Sequence, residues 1–417
     1  MSDLIAECVH CGFCLPACPT YRSWSNEADS PRGRIDLIKG VQEGTLEWNA
    51  SVVGHLDACL GCMSCVTACP SGVQYDLLIE GARAQIEAGY VREPADAAFR
   101  ELLFGLFPYP ERLRLIAPFL YASNALGLQG LAKRFGLFKF LPPRFRQLAE
   151  MAPPLTLSRL LATLPAFTPA RGTKRGRVAV IAGCVQRVFF PNVNAATVRV
   201  LAAEGFDVVV PAAQGCCGAL SLHVGRDGEA RDFARALLRA FANGDEVDAV
   251  IINAAGCGST LKQYAELLAG DPEFAEPAAR FSAKVKDVNE FLAGVEPVAL
   301  RRSAPIRVAY HDACHLAHAQ RIREEPRRLL CSIPDLKIVE IPQGDQCCGS
   351  AGVYNLLQPE SASEIGERKV DNLLSIEADM LASANPGCTL QIQSILAKRG
   401  RTLLAAHPIE ILDATLV

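Results

Sequence analysis

The stretch Cys8-Val-His-Cys11-Gly-Phe-Cys14-Leu-Pro-Ala-Cys18-Pro19 decides how the N-terminal part of this chain folds. It recurs as Cys59-Leu-Gly-Cys62-Met-Ser-Cys65-Val-Thr-Ala-Cys69-Pro70. Both copies read C-x2-C-x2-C-x3-C-P. Two residues between successive thiolates let a short looping backbone aim three sulfurs at three iron corners of one [4Fe–4S] cube, while the fourth Cys reaches the other cube. The two motifs must therefore fold against each other. The expected ligand sets are Cys8, Cys11, Cys14 and Cys69 for the first cluster, and Cys59, Cys62, Cys65 and Cys18 for the second. A zinc site can be built from two C-x2-C pairs and has no use for a duplicated third Cys, fourth Cys and Pro. The motifs describe an electron carrier.

Composition bounds the rest. A chain of 417 residues holds two or three domains, on a scale of about 100–200 residues each. With 50% hydrophobic and 21% charged residues it can bury sizeable cores, and a net charge of −3 gives no case for nucleic acid as a partner. Seventeen cysteines would suggest a disulfide scaffold in a short secreted chain. Here the chain is long, the count is odd and the spacings are ligand spacings, so reduced thiols in the cytoplasm are expected. Met1-Ser-Asp-Leu-Ile-Ala-Glu leaves no room for a basic and then apolar leader before Cys8. No stretch approaches the ~20 apolar residues of a spanning helix. The expected location is cytoplasmic, with peripheral contact on the cytoplasmic face of the inner membrane left open.

Four segments follow from the pattern: an α-helical two-cluster domain over 1–92, a helical linker over 93–175, and two α/β modules over 176–300 and 301–417. In the first, Ser30 as N-cap and Pro31 at the first helical position start a helix. Arg32 and Arg34, which follow, are candidates to offset the charge of thiolate-ligated cubes or else to lie on a solvated face. A second helix is expected from about Tyr75 to Ala88. The linker carries no cysteine. Its tracts Glu101-Leu-Leu-Phe-Gly-Leu-Phe-Pro-Tyr-Pro and Phe135-Gly-Leu-Phe-Lys-Phe-Leu-Pro-Pro-Arg144 are aromatic and basic. The plainer expectation is a packed helical linker; the alternative is a surface for a partner subunit or anionic lipid. Ala170 to Arg177 reads as an exposed connector.

The remainder is an internal duplication. Cys184, Cys216, Cys217 and Cys257 recur as Cys314, Cys347, Cys348 and Cys388, at offsets of 130, 131, 131 and 131 residues. Each anchor follows an apolar or β-branched run, such as Arg177-Val-Ala-Val-Ile-Ala-Gly-Cys184 and Ile306-Arg-Val-Ala-Tyr-His-Asp-Ala-Cys314. Helical stretches, including Ala195 to Glu204 and Ala230 to Phe241, separate the strands. Strand–helix–strand alternation with near-continuous apolar strands predicts a parallel α/β sheet in each copy, with functional groups beyond the carboxyl ends of its strands. In Cys216-Cys217-Gly218 and Cys347-Cys348-Gly349 the Gly permits a turn that lets both thiols face one pocket. The eight module cysteines are candidate ligands for one or two further iron–sulfur or zinc centres. Cys331, without a counterpart, is expected to pack in a helix. His311, His315 and His318 are expected to hydrogen-bond near the site. No G-x-G-x-x-G follows a strand, so FAD or another hydride acceptor is expected only on a partner.

The whole chain resembles the iron–sulfur subunit of bacterial glycolate oxidase (glycolate dehydrogenase). The resemblance rests on Cys-Val-His-Cys-Gly-Phe-Cys (8–14), Cys-Pro-Thr-Tyr (18–21), Pro-Arg-Gly-Arg-Ile (31–35), Cys-Pro-Ser-Gly-Val (69–73) and the two Cys-Cys-Gly modules. It implies an electron-transfer subunit beside flavin-binding subunits that oxidise glycolate to glyoxylate, passing electrons toward a quinone-type acceptor and inactive alone. The same layout is similar to iron–sulfur subunits of D-lactate and anaerobic glycerol-3-phosphate dehydrogenases. The modules also resemble the catalytic subunit of heterodisulfide reductase, where each motif closes with C-x2-C. Here the closing positions are Thr260 and Gln391. That argues against five-thiolate clusters and thiol–disulfide chemistry and leaves four thiolates per module.

Overall fold

The computed structural model describes residues 1–153, 155–242 and 247–417, with the side chains of residues 129, 133 and 134 outside that description. Among the described residues nine strands form two sheets. The first holds β1 (Phe167–Thr168), β2 (Gly176–Val180), β3 (Phe206–Val209), β4 (Ala249–Ile252) and β5 (Val285–Asp287) in the order β1-β3-β2-β4-β5. The second holds β6 (Arg307–His311), β7 (Lys337–Glu340), β8 (Met380–Ser383) and β9 (Leu404–Ala406) in the order β7-β6-β8-β9. Leaving β1 aside, both sheets are parallel and share one topology, so the duplication read from the cysteines is a duplication of fold. The two-residue β1 pairs antiparallel on the edge of the first sheet, Phe167 opposite Val209. It lies in a stretch read as helical linker and connector, and two residues are too short for any periodicity to register.

Val178, Val180, Val208 and Ile251 of the first sheet join Val308, Tyr310 and Ala382 of the second in one buried cluster. The modules meet through helices Pro191–Ala203 and Pro408–Ala414, clamped by a bidentate pair from Arg199 to Asp413 at 2.8 and 2.6 Å. The helix expected from Ala195 begins earlier, at Pro191, because Pro at the first helical position loses no intrahelical hydrogen bond. The helix expected from Ala230 likewise spans Asp227–Ala242.

The N-terminal domain is helical. Ser30 accepts from the Gly33 amide at 3.0 Å and caps helix Pro31–Gln42, as its sequence predicts. Helix Tyr75–Gly89 buries Leu78, Ile79, Ala82 and Ile86 against Ile38 and Leu56. Between this domain and the modules, the linker helices Pro94–Phe104, Pro110–Ala125 and Pro143–Glu150 pack one face inward. Phe99, Leu103 and Phe104 meet Val353, Leu356 and Leu357, while Leu113 and Ala117 meet Val188 and Phe189. The other face is not packed: Leu115, Phe119, Leu126, Phe135 and Phe140 are exposed. The plainer reading of a packed linker therefore holds for only one side. No helix among the described residues is long and apolar enough to cross a membrane.

Candidate metal centres

The two N-terminal motifs sit in unlike surroundings. Cys11 is exposed, Cys8, Cys14 and Cys69 are half-buried, and their neighbours Val9 and Phe13 are 67% and 65% exposed. Cys18, Cys59, Cys62 and Cys65 are all buried. A small enclosed cavity of about 20 Å³ has these four sulfur-bearing residues in its lining, so the fourth Cys of the first motif stands with the first three of the second. Met63, at φ 60°, and Gly61, at φ 59°, bend the loop into the left-handed region, which turns successive thiols inward.

Electrostatics fits an anionic group at the inner site. Burial pushes the Cys62 and Cys65 thiols well up, Cys62 further by the neighbouring Cys314. Cys59 goes the other way. Its burial is outweighed by the guanidinium groups of Arg34 and Arg83, with the Gly61 amide (3.4 Å) and Tyr75 hydroxyl (3.6 Å) donating to its Sγ. Arg34 is almost fully buried, its Nη1 4.0 Å from the Cys18 Sγ, with Thr20, the His55 carbonyl and Asp29 as partners. Arg32 is more exposed and pairs with Glu27 and the His10 carbonyl. Both arginines are candidates by sequence; only Arg34 reaches the thiols of the inner site. A [4Fe–4S] cube carries net negative charge with four thiolates, and a buried cation with amide and hydroxyl donors is what such a charge requires.

The module cysteines fall three to eight residues beyond their strands, in register in the two copies. Strand β2 leads to Cys184, β3 to Cys216 and Cys217, and β4 to Cys257; β6, β7 and β8 lead to Cys314, Cys347 with Cys348, and Cys388. Gly218 and Gly349 follow each pair at φ 81° and 85°. A Cβ on Gly349 would lie 2.4 Å from the Ala362 carbonyl oxygen, so the turn that presents both thiols admits only glycine.

Within each module the sulfurs touch. Cys216 is pushed well up by donating to Cys184 and Cys217, and Cys257 by donating to Cys217. Those donations hold Cys217 well below the ordinary thiol range. The same chain runs Cys314–Cys347–Cys348–Cys388, with Cys348 the low member. Four buried sulfurs this close cannot all be thiolates unless a cation replaces their protons. The donor set therefore fits a metal or cluster. Gln391 is engaged by Asn355 and the Ala362 carbonyl, at 3.0 and 3.1 Å, and so is turned away from ligation. Thr260 is fully buried, and neither it nor Gln391 lines the cavity described below.

The histidines separate into two kinds. His315 contacts the Gly61 carbonyl at 3.0 Å and Ser259 Oγ at 2.8 Å; His318 contacts Thr67 Oγ1 and the Asp345 carbonyl, each at 3.0 Å. Burial pushes both imidazoles down, His315 to about 3, so both are neutral. They staple the second cysteine motif to the second module, which is why Cys62 and Cys314 are neighbours. For these two the expectation of hydrogen-bonding residues stands. His311 bonds differently. Its buried ring nitrogens have no nitrogen or oxygen partner among the described residues and meet the Cys348 thiol instead, and a ring nitrogen lies within 4.8 Å of the Cys348 and Cys388 sulfurs. Sequence alone offers one signal: the duplicated position, 130 residues earlier, is Ile181. Cys331 departs from its expected packing. It ends helix Glu324–Cys331 on the exposed side rather than in a core.

Between the two module sites and the inner motif lies a cavity of about 670 Å³. Cys59, Cys184, Cys217, Cys257, Cys314 and Cys388 line one side, and Leu106, Phe107, Leu113, Leu120 and Met151 of the linker roof the other. Leu102, Ile116 and Phe145 line it too and are exposed, which places its mouth among the linker helices. Three buried polar atoms in its lining residues, Gln186 Oε1, His223 Nε2 and Ser350 Oγ, have no hydrogen-bond partner among the described residues. Its size is that of a site for a small organic molecule, about 300–1,000 Å³.

Comparison with known proteins gives a consistent picture. Residues 5–73 match the 4Fe-4S dicluster domain, and residues 178–262 and 308–393 each match the cysteine-rich domain. Residues 95–153 match the family described as glycolate oxidase iron-sulfur subunit, linker region. The chain is 38% identical to the probable glycolate oxidase iron-sulfur subunit of Bacillus subtilis over 95% of its own length and 90% of that protein's. It is 35% identical to the glycolate oxidase iron-sulfur subunit of Escherichia coli over 99% and 95%. Lactate utilization protein A of Geobacillus thermodenitrificans is 31% identical over 57% of this chain and 98% of its own. With full-length similarity at this level and each part of its architecture matched, the chain belongs to the glycolate oxidase iron–sulfur subunit family.

Proposed function

We propose that the chain is the electron-transfer subunit of a flavin-dependent glycolate dehydrogenase, taking electrons from flavin-binding partner subunits and delivering them to a quinone-type acceptor. The observation that carries this reading is the gradient of enclosure. Exposed Cys11, with Val9 and Phe13 beside it, offers a partner a docking point at the first motif. The second ligand set is buried behind it, and Cys62 neighbours Cys314 of the second module. [4Fe–4S] cubes at Cys8, Cys11, Cys14 and Cys69, and at Cys59, Cys62, Cys65 and Cys18, would take up and release electrons one at a time. The residues supply the order of sites: the first motif faces outward, Arg34 and Arg83 hold negative charge at the second, and His315 and His318 fix the step to the module. The modules close on the apolar cavity, whose dimensions and three unpartnered polar atoms suit a quinone ring. Iron is favoured over zinc in the modules because zinc has no redox chemistry.

Glycolate is favoured as the substrate of the complex because the relatives named for it match over nearly the whole chain, whereas the lactate utilization protein covers 57%. A D-lactate complex is the second reading, and it rests on that partial match. The chain alone is expected to give no glycolate-dependent dye reduction, and the reaction should appear when flavin-bearing partners are added. Turnover by the isolated chain at the rate of the complex overturns this, and a reconstituted complex faster with D-lactate than with glycolate moves the assignment to the second reading.

The linker's outer face supports a membrane-associated acceptor. Between Glu111 and Glu150 there are seven Lys or Arg and no Asp or Glu. Phe119 and Phe140 on that segment are 76% and 86% exposed. An apolar face with cationic flanks lies in the headgroup region of an anionic bilayer. We expect the chain to sediment with phosphatidylcholine–phosphatidylglycerol vesicles at low salt and to be released by salt or by Phe119→Glu with Phe140→Glu. Equal recovery in the supernatant with and without phosphatidylglycerol vesicles rules out the contact.

A further inference from the structure

The two modules differ at one point that touches their chemistry. Beyond their four sulfurs, the first module has Ile181 where the second has His311. Ile181 is fully buried among Cys217, Ala234 and Leu237 and contributes packing alone. His311 is the last residue of strand β6, opposite Ser383 of β8, so the sheet fixes where its side chain starts. Its imidazole is buried to 1% exposure, and neither nitrogen has a nitrogen or oxygen partner among the described residues; the group it bonds to is the Cys348 thiol. A buried imidazole whose one polar neighbour is a thiol is poorly compensated for the water it has given up. A ring nitrogen and the sulfurs of Cys348 and Cys388 lie within 4.8 Å of one another. That is the span of donors around one metal, with metal–nitrogen distances near 2.0–2.1 Å and metal–sulfur distances near 2.3 Å.

We propose that His311 is a ligand of the centre held by the second module, making that centre a mixed imidazole–thiolate site while the first module offers thiolates only. The inference rests on the reading that the modules hold metal. It assigns them different work. Where His311 takes the position of one of the module's four thiolates, the centre carries one negative charge fewer than its counterpart, which raises its reduction potential. The second module, beside Cys62, is then the more oxidising of the two and the natural recipient of electrons from the inner motif.

The experiment is pulsed electron paramagnetic resonance on the reduced, anaerobically purified chain labelled with 15N-histidine. A directly bound imidazole nitrogen should couple to an iron centre in the wild-type chain. The coupling should vanish in His311→Ile, which installs the residue the first module already carries, and should persist in His315→Gln and in His318→Gln. Signals of the two N-terminal cubes, unchanged in His311→Ile, show that the variant is folded. If the module metal is zinc, X-ray absorption at the zinc edge should show nitrogen beside sulfur, and sulfur alone in His311→Ile. Metal in the modules without nitrogen coupling, or coupling that survives His311→Ile, overturns this inference and leaves the metal-holding reading intact. Metal content no greater than two cubes require overturns both.

Discussion

In a Cys18→Ser chain the cluster of the second motif should be lost and that of the first retained, although Cys18 belongs to the first motif by sequence. Cys18 begins the turn into helix Pro19–Trp24, and its sulfur lies with those of Cys59, Cys62 and Cys65 around one small cavity. Arg34 approaches the Cys18 sulfur and also acts on the Cys59 thiol, binding the set electrostatically. Two cubes hold about eight irons. The variant should therefore lose about half of that iron, together with electron delivery by the complex. Pairing tests the grouping more sharply than any single variant. Cys18→Ser with Cys59→Ser should remove no more iron than either alone, because both act on one cluster. Cys18→Ser with Cys8→Ser should remove nearly all of it. The reverse pattern, additive loss with Cys59 and none beyond the single variant with Cys8, rejects the crossed ligation.

Features written as local spacing are legible in the sequence itself. The cysteine intervals name the cluster loops, and near-constant offsets of 130 and 131 residues reveal two copies of one parallel module, because both kinds of information survive in one dimension. What escapes depends on which side of an element faces what. His311 and Ile181 occupy the same register position, but only the packed sheet shows that this position looks at the thiols. His315 and His318 read as ordinary polar residues near a site, and so they are; their partners Gly61 and Thr67 lie about 250 residues away in sequence, beyond any local pattern. Cys331, with no counterpart in the first module, is expected to pack, yet the helix turns that position to solvent. The linker shows the same ambiguity at larger scale. Its apolar residues outnumber those one face can bury, and the excess stands outward around the cavity mouth.

Arg32 and Arg34 form the closest test of that point, since they sit two residues apart on one helix and their sequence contexts are nearly alike. Arg34→Met should destabilise the N-terminal domain by about 3–5 kcal/mol, the usual penalty for removing one partner of a buried charge pair. Burial opposes the charge of Arg34, and the Cys59 and Tyr75 groups, Cys18 and Asp29 outweigh it. Removing the cation leaves Asp29, 9% exposed, with His55 at 2.9 Å and Asn26 at 2.9 Å but without its strongest counter-charge. It also leaves the inner thiolates with Arg83 alone of the two cations that act on Cys59. Arg32→Met should leave stability nearly unchanged, because its pair with Glu27 stands in water. Anaerobic urea unfolding of both variants at matched iron content measures the contrast. The same samples report on function: Arg34→Met should lower the potential of the inner cluster, since a lost neighbouring cation disfavours added electrons, and Arg32→Met should leave it in place. Equal unfolding midpoints for the two variants, with equal inner-cluster potentials, would show that Arg34 is a packing residue whose charge the cluster does not feel.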